Sequence, residues 1–145
     1  MFQTLKKRIK NEKGLTLIEL LAVIVILAIV AAIAVPAIGN IIAKSQDRAI
    51  LAEASNILSG AKIAAVDGAC GDDNICSNSE LGAYVDGVTL DTTDNATYNA
   101  TAKEWSITYG KLDEIKLDEY KVGTTATETA INTALKNAGG SVTTP

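Results

Sequence analysis

Glu19 is the one charged residue between Gly14 and Lys44. It sits in Leu15-Thr16-Leu17-Ile18-Glu19-Leu20-Leu21, five residues past a basic leader that ends in Lys13-Gly14. A carboxylate in apolar surroundings needs a cationic partner or a proton. No Lys or Arg lies between Leu15 and Ala43. Hydrolysis of the Gly14–Leu15 bond would create the missing cation, because the new α-amino group of Leu15 would stand one helical turn from the Glu19 carboxylate of its own or a neighbouring chain. The chemistry offered is a processing site followed by an ion pair. No nucleophile motif, glycine-rich phosphate loop or metal-binding constellation accompanies it. The absence of histidine removes the commonest metal ligand and general base.

The element that positions Glu19 is a long apolar helix. Residues 20–43 carry no charge, and only Pro36, Gly39 and Asn40 interrupt the aliphatic and alanine run, so the segment is long enough to cross a bilayer core. Between Leu15 and Pro36 stand fourteen Leu, Ile and Val residues, each contributing roughly −0.3 to −0.6 kcal/mol to insertion against roughly +3 kcal/mol for one acidic side chain. Insertion wins, with Glu19 as a tolerated cost. Past Asn40 the pattern becomes amphipathic: Ile42, Ile50, Leu51, Ala54, Ile57, Leu58, Ala61, Ala64 and Ala65 recur mostly at three and four residues, with Lys44, Gln46, Asp47, Arg48, Glu53 and Lys62 between them. A helix from Thr16 to about Val66 would be roughly 75 Å long. Pro36, which removes one helical hydrogen bond close to Gly39, predicts a kink or a locally melted turn.

These residues resemble the type IV pilins and the related pseudopilins of type II secretion and competence systems. The likeness rests on the short basic leader ending in Gly14, on Leu15-Thr16-Leu17-Ile18-Glu19-Leu20 with Glu19 fifth after the cut, and on Pro36 at the twenty-second position. It covers about the first 40 residues. The resemblance implies that a membrane prepilin peptidase cleaves after Gly14 and methylates the Leu15 amine, that Glu19 and Pro36 serve assembly, and that identical subunits are the main partners, with the assembly platform and its ATPase acting indirectly. Two positions depart from the family pattern: Leu15 stands where Phe is common, and Ala28 where a glycine is often found. A secretory signal peptide would instead place its cut beyond the apolar run, where Ala32-Ala-Ile-Ala-Val35 offers only a weak site.

Charge divides the chain in the same place. The leader holds Lys6, Lys7, Arg8, Lys10 and Lys13 against Glu12, whereas residues 15–145 hold eight Lys and Arg against sixteen Asp and Glu, a net charge of −8. A basic segment before a span favours a cytoplasmic N-terminus and an outward head. An acidic head with scattered cations argues against nucleic acid as a partner.

In an exported domain, Cys70 and Cys76 around Gly-Asp-Asp-Asn-Ile read as a structural disulfide that staples the chain where the long helix ends. Downstream, alternation predicts short strands over 83–90, 97–102 and 105–109, with a turn at Lys103-Glu104, and a last helix from Thr127 to Ala138 stopped by Gly139-Gly140 before a frayed 141–145. Such a thin sheet needs the outer half of the long helix as its second layer, with Ile57, Leu58 and Ala61 facing Trp105, Ile107 and Tyr109. Asp72, Asp73, Asn74, Asp91 and Asp94 offer oxygen ligands, but their spacing is not that of a calcium loop and reads better as solvated turns. Asn95-Ala-Thr97 and Asn99-Ala-Thr101 match a glycan-acceptor pattern that a Thr-rich chain meets by chance.

The expected fold is α+β, a transmembrane then amphipathic helix packed on a small antiparallel sheet, pilin-like. Residues 1–14 form the cleaved leader, 15–43 the apolar half, and 44–145 the outer helix and head. No cofactor, metal or enzymatic activity is expected. The expected product is a filament subunit processed after Gly14 and methylated at Leu15, first a single-pass membrane protein and then part of a surface pilus; a pseudopilus component is the alternative.

Overall fold

A computed structural model describes residues 2–71 and 73–139, with side chains from Thr16 onward. The chain forms two compact units, residues 1–41 and 42–145. Helix α1 (Phe2–Val66) supplies all of the secondary structure described in the first and opens the second. The helix runs unbroken through Pro36, so the locally melted turn expected there is not formed. Loss of one N–H donor removes a single rung, and the flanking aliphatic residues keep the rest of the ladder.

In the second unit α1 buries one stripe, Leu51, Ala54, Ile57, Leu58, Ala61 and Ala64, each no more than 2% exposed. The helix stops where Gly68 takes φ +71°. There Ala69 N–H donates to Ala64 O and Gly68 N–H to Ala65 O, which satisfies the last carbonyls in a Schellman arrangement.

Four antiparallel strands lie in the order β1 (Ile75–Ser77), β2 (Asn95–Asn99), β3 (Glu104–Thr108), β4 (Thr125–Thr127). Their registers place Cys76, Ala96, Ile107 and Ala126 in one row across the sheet. All four are buried in the core that includes the α1 stripe. The long helix packed on a small antiparallel sheet is therefore the architecture of the head. A short helix α2 (Asn78–Leu81) follows β1, two 3-10 turns (Gly110–Glu114 and Asp118–Tyr120) link β3 to β4, and α3 (Glu128–Asn137) closes the described chain. Helix α3 starts on Thr127, whose hydroxyl accepts from Ala130 N–H, and ends before Gly139 at φ +76°. Residues 141–145, expected to fray, lie outside the described residues.

Several strand expectations are corrected. Residues 83–90 form no strand. Leu81 O instead accepts from the N–H groups of both Tyr84 and Val85, and Gly87 at φ +75° turns the backbone away from extended geometry. The Val85 side chain docks on Gly60 of α1, where a Cβ would meet Val85 Cγ2 at 2.5 Å and Tyr84 O at 2.9 Å. The missing edge strand is β1, which starts inside the cysteine loop and runs through Cys76 to Ser77. The β2–β3 turn falls at residues 100–103, with Lys103 at φ +54°, and Glu104 already belongs to β3. Trp105 is only partly buried, at the rim of the core rather than within it, whereas Ile107 and Tyr109 are fully inside.

Candidate functional site

Glu19 lies on α1 among Leu17, Ile18, Leu20 and Leu21, whose side chains are 59–67% exposed. The exposure continues on every side of the helix: all Leu, Ile and Val residues from Leu17 to Ile42 are at least half exposed. Thr16–Val66 is long and apolar enough to cross a membrane, by length and composition. An all-round apolar helix is stable only in lipid or among other apolar helices. The arrangement therefore joins one carboxylate to a large uncovered apolar surface. The side chain of Leu15 lies outside the described residues, as does everything about the leader beyond its helical backbone, so the Gly14–Leu15 bond is placed on α1 by backbone alone.

Cys70 and Cys76 are bonded, with Cα atoms 4.7 Å apart. The bridge ties the segment just past the helix end to β1, and Cys76 is fully buried against α1, its Sγ 3.8 Å from Ala61 O. Asp73 Oδ1 accepts from Ile75 N–H within that loop; Asp72 lies outside the described residues.

Asp94, expected in a solvated turn, is buried, and so is Asp47, which the amphipathic pattern sets between the stripe residues. Asp47 projects from α1 and accepts from Lys116 N–H at 2.9 Å and Leu117 N–H at 2.8 Å, holding the link between the two 3-10 turns. Asp94 accepts from Asp91 N–H at 2.8 Å and Gly110 N–H at 2.9 Å. Their oxygens are thus committed to backbone amides, and among the described residues no group of three His, Cys, Asp or Glu could hold a metal ion. One signal for Asp47 was available: it falls four residues before Leu51, in phase with the buried stripe.

Two more polar ties hold the head to α1. Tyr109 Oη donates to Glu53 at 2.5 Å and Lys111 Nζ reaches the same carboxylate at 3.1 Å. Burial, then the Glu53 carboxylate, pushes the Tyr109 phenol far above its ordinary range. Lys62 pairs with Glu128 of α3 at 2.5 Å. On the surface, Glu80 reaches back to Ser77 in a capping box, and that bonding holds its carboxyl below the usual value. These groups serve structure; each is matched to a partner inside the head.

A protein-family model for the prokaryotic N-terminal methylation motif matches residues 9–35. No curated protein and no solved structure matches the chain. The matched span contains the leader end, the Gly14–Leu15 bond and Glu19, the same residues that carry the charge anomaly. The chain thus bears the type IV prepilin-type cleavage and methylation signal.

Proposed function

We propose that this chain is a structural prepilin of a type IV pilus, cleaved after Gly14 and N-methylated at Leu15, whose helix α1 packs against identical helices in the filament. The observation that carries the reading is Glu19 within the 9–35 methylation motif, on a helix that is apolar on all sides. In the membrane, segment 15–43 waits as a single span with its N-terminus cytoplasmic. During assembly the Leu15 amine of one subunit neutralises Glu19 of another and sets register, while apolar contact between helices supplies most of the free energy. Pro36 acts as a hinge that lets α1 bend in the polymer. The partners are the prepilin peptidase, identical subunits and, indirectly, the assembly ATPase.

A pseudopilus subunit of a secretion or DNA-uptake system shares the same motif and remains the second reading. Surface filaments favour the pilus; processed protein confined to the membrane favours the pseudopilus. The role of Glu19 is tested with Glu19→Lys. The variant is expected to insert and be cleaved but to lose polymer entirely in a sheared or membrane-extracted fraction. Normal polymer yield would overturn the pairing.

A further inference from the structure

Beside the last turns of α1 the sheet presents an aromatic pair with unused polar groups. Tyr98 of β2 and Trp105 of β3 are cross-strand partners. Their ring centroids are 5.4 Å apart at an interplanar angle of 45°, and both rings are partly buried. An open cleft runs over them in two lobes of about 370 and 120 Å³ that share Ala65, Tyr98 and Trp105. Lys62 borders the larger lobe, and Gly71 and Asn74 border the smaller.

Cross-strand stacking stabilises the sheet, but stability does not use the polar edges. Among the described residues, no hydrogen-bond partner exists for the Tyr98 hydroxyl, the Trp105 indole N–H or the Asn74 side-chain amide. Asn74 is held beside the rings by a left-handed backbone, φ +61°, and its carbonyl accepts from Tyr98 N–H. The cleft therefore combines flat apolar faces with donors and acceptors at their rim. Among the described residues that line it, the one charge is Lys62, which is bound to Glu128. A ring with one apolar C–H face and hydroxyl groups around its edge satisfies both halves of the site.

We propose that this cleft binds a neutral sugar ring, stacked on Trp105 with its hydroxyls on Asn74, Tyr98 Oη and Trp105 Nε1. The inference is independent of filament assembly, because every group involved lies within the head. The site is shallow, so affinity is modest, of the order of millimolar for a single ring.

Trp105 is the single tryptophan of the chain, so its fluorescence reports on this site alone. The full chain in detergent micelles is titrated with the methyl glycosides of glucose, galactose and N-acetylglucosamine, with glycerol as a non-cyclic polyol control. At least one glycoside is expected to shift the emission saturably while glycerol does not. Asn74→Gly, which keeps the left-handed backbone and removes the amide, is expected to weaken binding about tenfold, the loss of one or two hydrogen bonds. Tyr98→Phe keeps the ring and should weaken it by less. A drift that is linear and the same for every polyol, or an affinity unchanged in Asn74→Gly, would overturn the proposal. So would loss of acrylamide quenching of Trp105 on polymerisation, because a neighbouring copy would then occupy the cleft.

Discussion

From Leu17 to Ile42 every Leu, Ile and Val side chain is at least half exposed, whereas from Leu51 to Ala61 the stripe side chains of the same helix are 0–2% exposed. Helical propensity does not separate these stretches; what separates them is what each can use to cover its apolar surface. The outer stretch has a sheet to pack on, and its Asp47, Glu53 and Lys62 are matched to backbone amides, a phenol and an ion-pair partner. The N-terminal stretch has a single charge and nothing within the described chain to cover it. One region is completed by its own sequence; the other needs lipid or other copies. The difference places stability in the head and leaves the span as the surface for the assembly we propose.

The comparison breaks most sharply at Asp47. Asp47→Ala leaves the part-buried N–H groups of Lys116 and Leu117 without their acceptor, a loss of about 2–4 kcal/mol for two hydrogen bonds to a charged group. The thermal midpoint of the head, followed by near-ultraviolet circular dichroism in detergent, should fall by roughly 10–20 °C. Glu19→Lys should leave that midpoint unchanged while abolishing polymer. A head that melts normally without Asp47 would show that the 110–120 segment is held by apolar contact alone.

A smaller effect is expected at Gly60. Gly60→Ala gains about 1 kcal/mol of helix propensity but drives a methyl group against Val85 Cγ2 and Tyr84 O, which costs about 1–3 kcal/mol. The net expectation is a destabilisation of about 0–2 kcal/mol in urea unfolding of the same detergent sample. An increase in stability would mean that the 84–86 loop yields freely.

The smallest is a pH effect. Tyr109 ionises far above the value of 10.0 that describes an unconstrained phenol. The folded state therefore keeps its proton where the unfolded state has lost it, so the stabilisation is complete below about pH 10 and declines as pH rises above it. In an absorbance titration at alkaline pH, Tyr109 should ionise only as the head unfolds. Ionisation of all tyrosines before unfolding would place Tyr109 in water.

How far the fold could be read in advance follows the same division. Helix α1 and its end at Val66 were legible because a 3.6-residue period and Asp67-Gly68 are local signals. Strands β2 and β3 were legible from alternation around Tyr98, Trp105 and Ile107. Strands β1 and β4 have three residues each, too few to show a period, and are defined by their partners. Residues 83–90 carry strand-like alternation, but β1 already occupies that edge of the sheet and Val85 is drawn to the notch at Gly60. The burial of Asp94, expected as a solvated turn residue, and of Asp47 is not legible, because an acid in a turn or on a helix looks solvated until the amides that claim it are in view. Gly14, Leu15 and Glu19, to which we assign processing and pairing, stand out in the sequence because their anomaly lies in the linear order of charge.

The most direct test of the account is the intact mass of the protein sheared from its native cells. The account predicts residues 15–145 plus one methyl group and minus two hydrogens, which reports cleavage after Gly14, methylation of Leu15 and the Cys70–Cys76 bond together. A mass for the uncut chain, leader included, would contradict it and leave an anchored domain in place of a filament subunit.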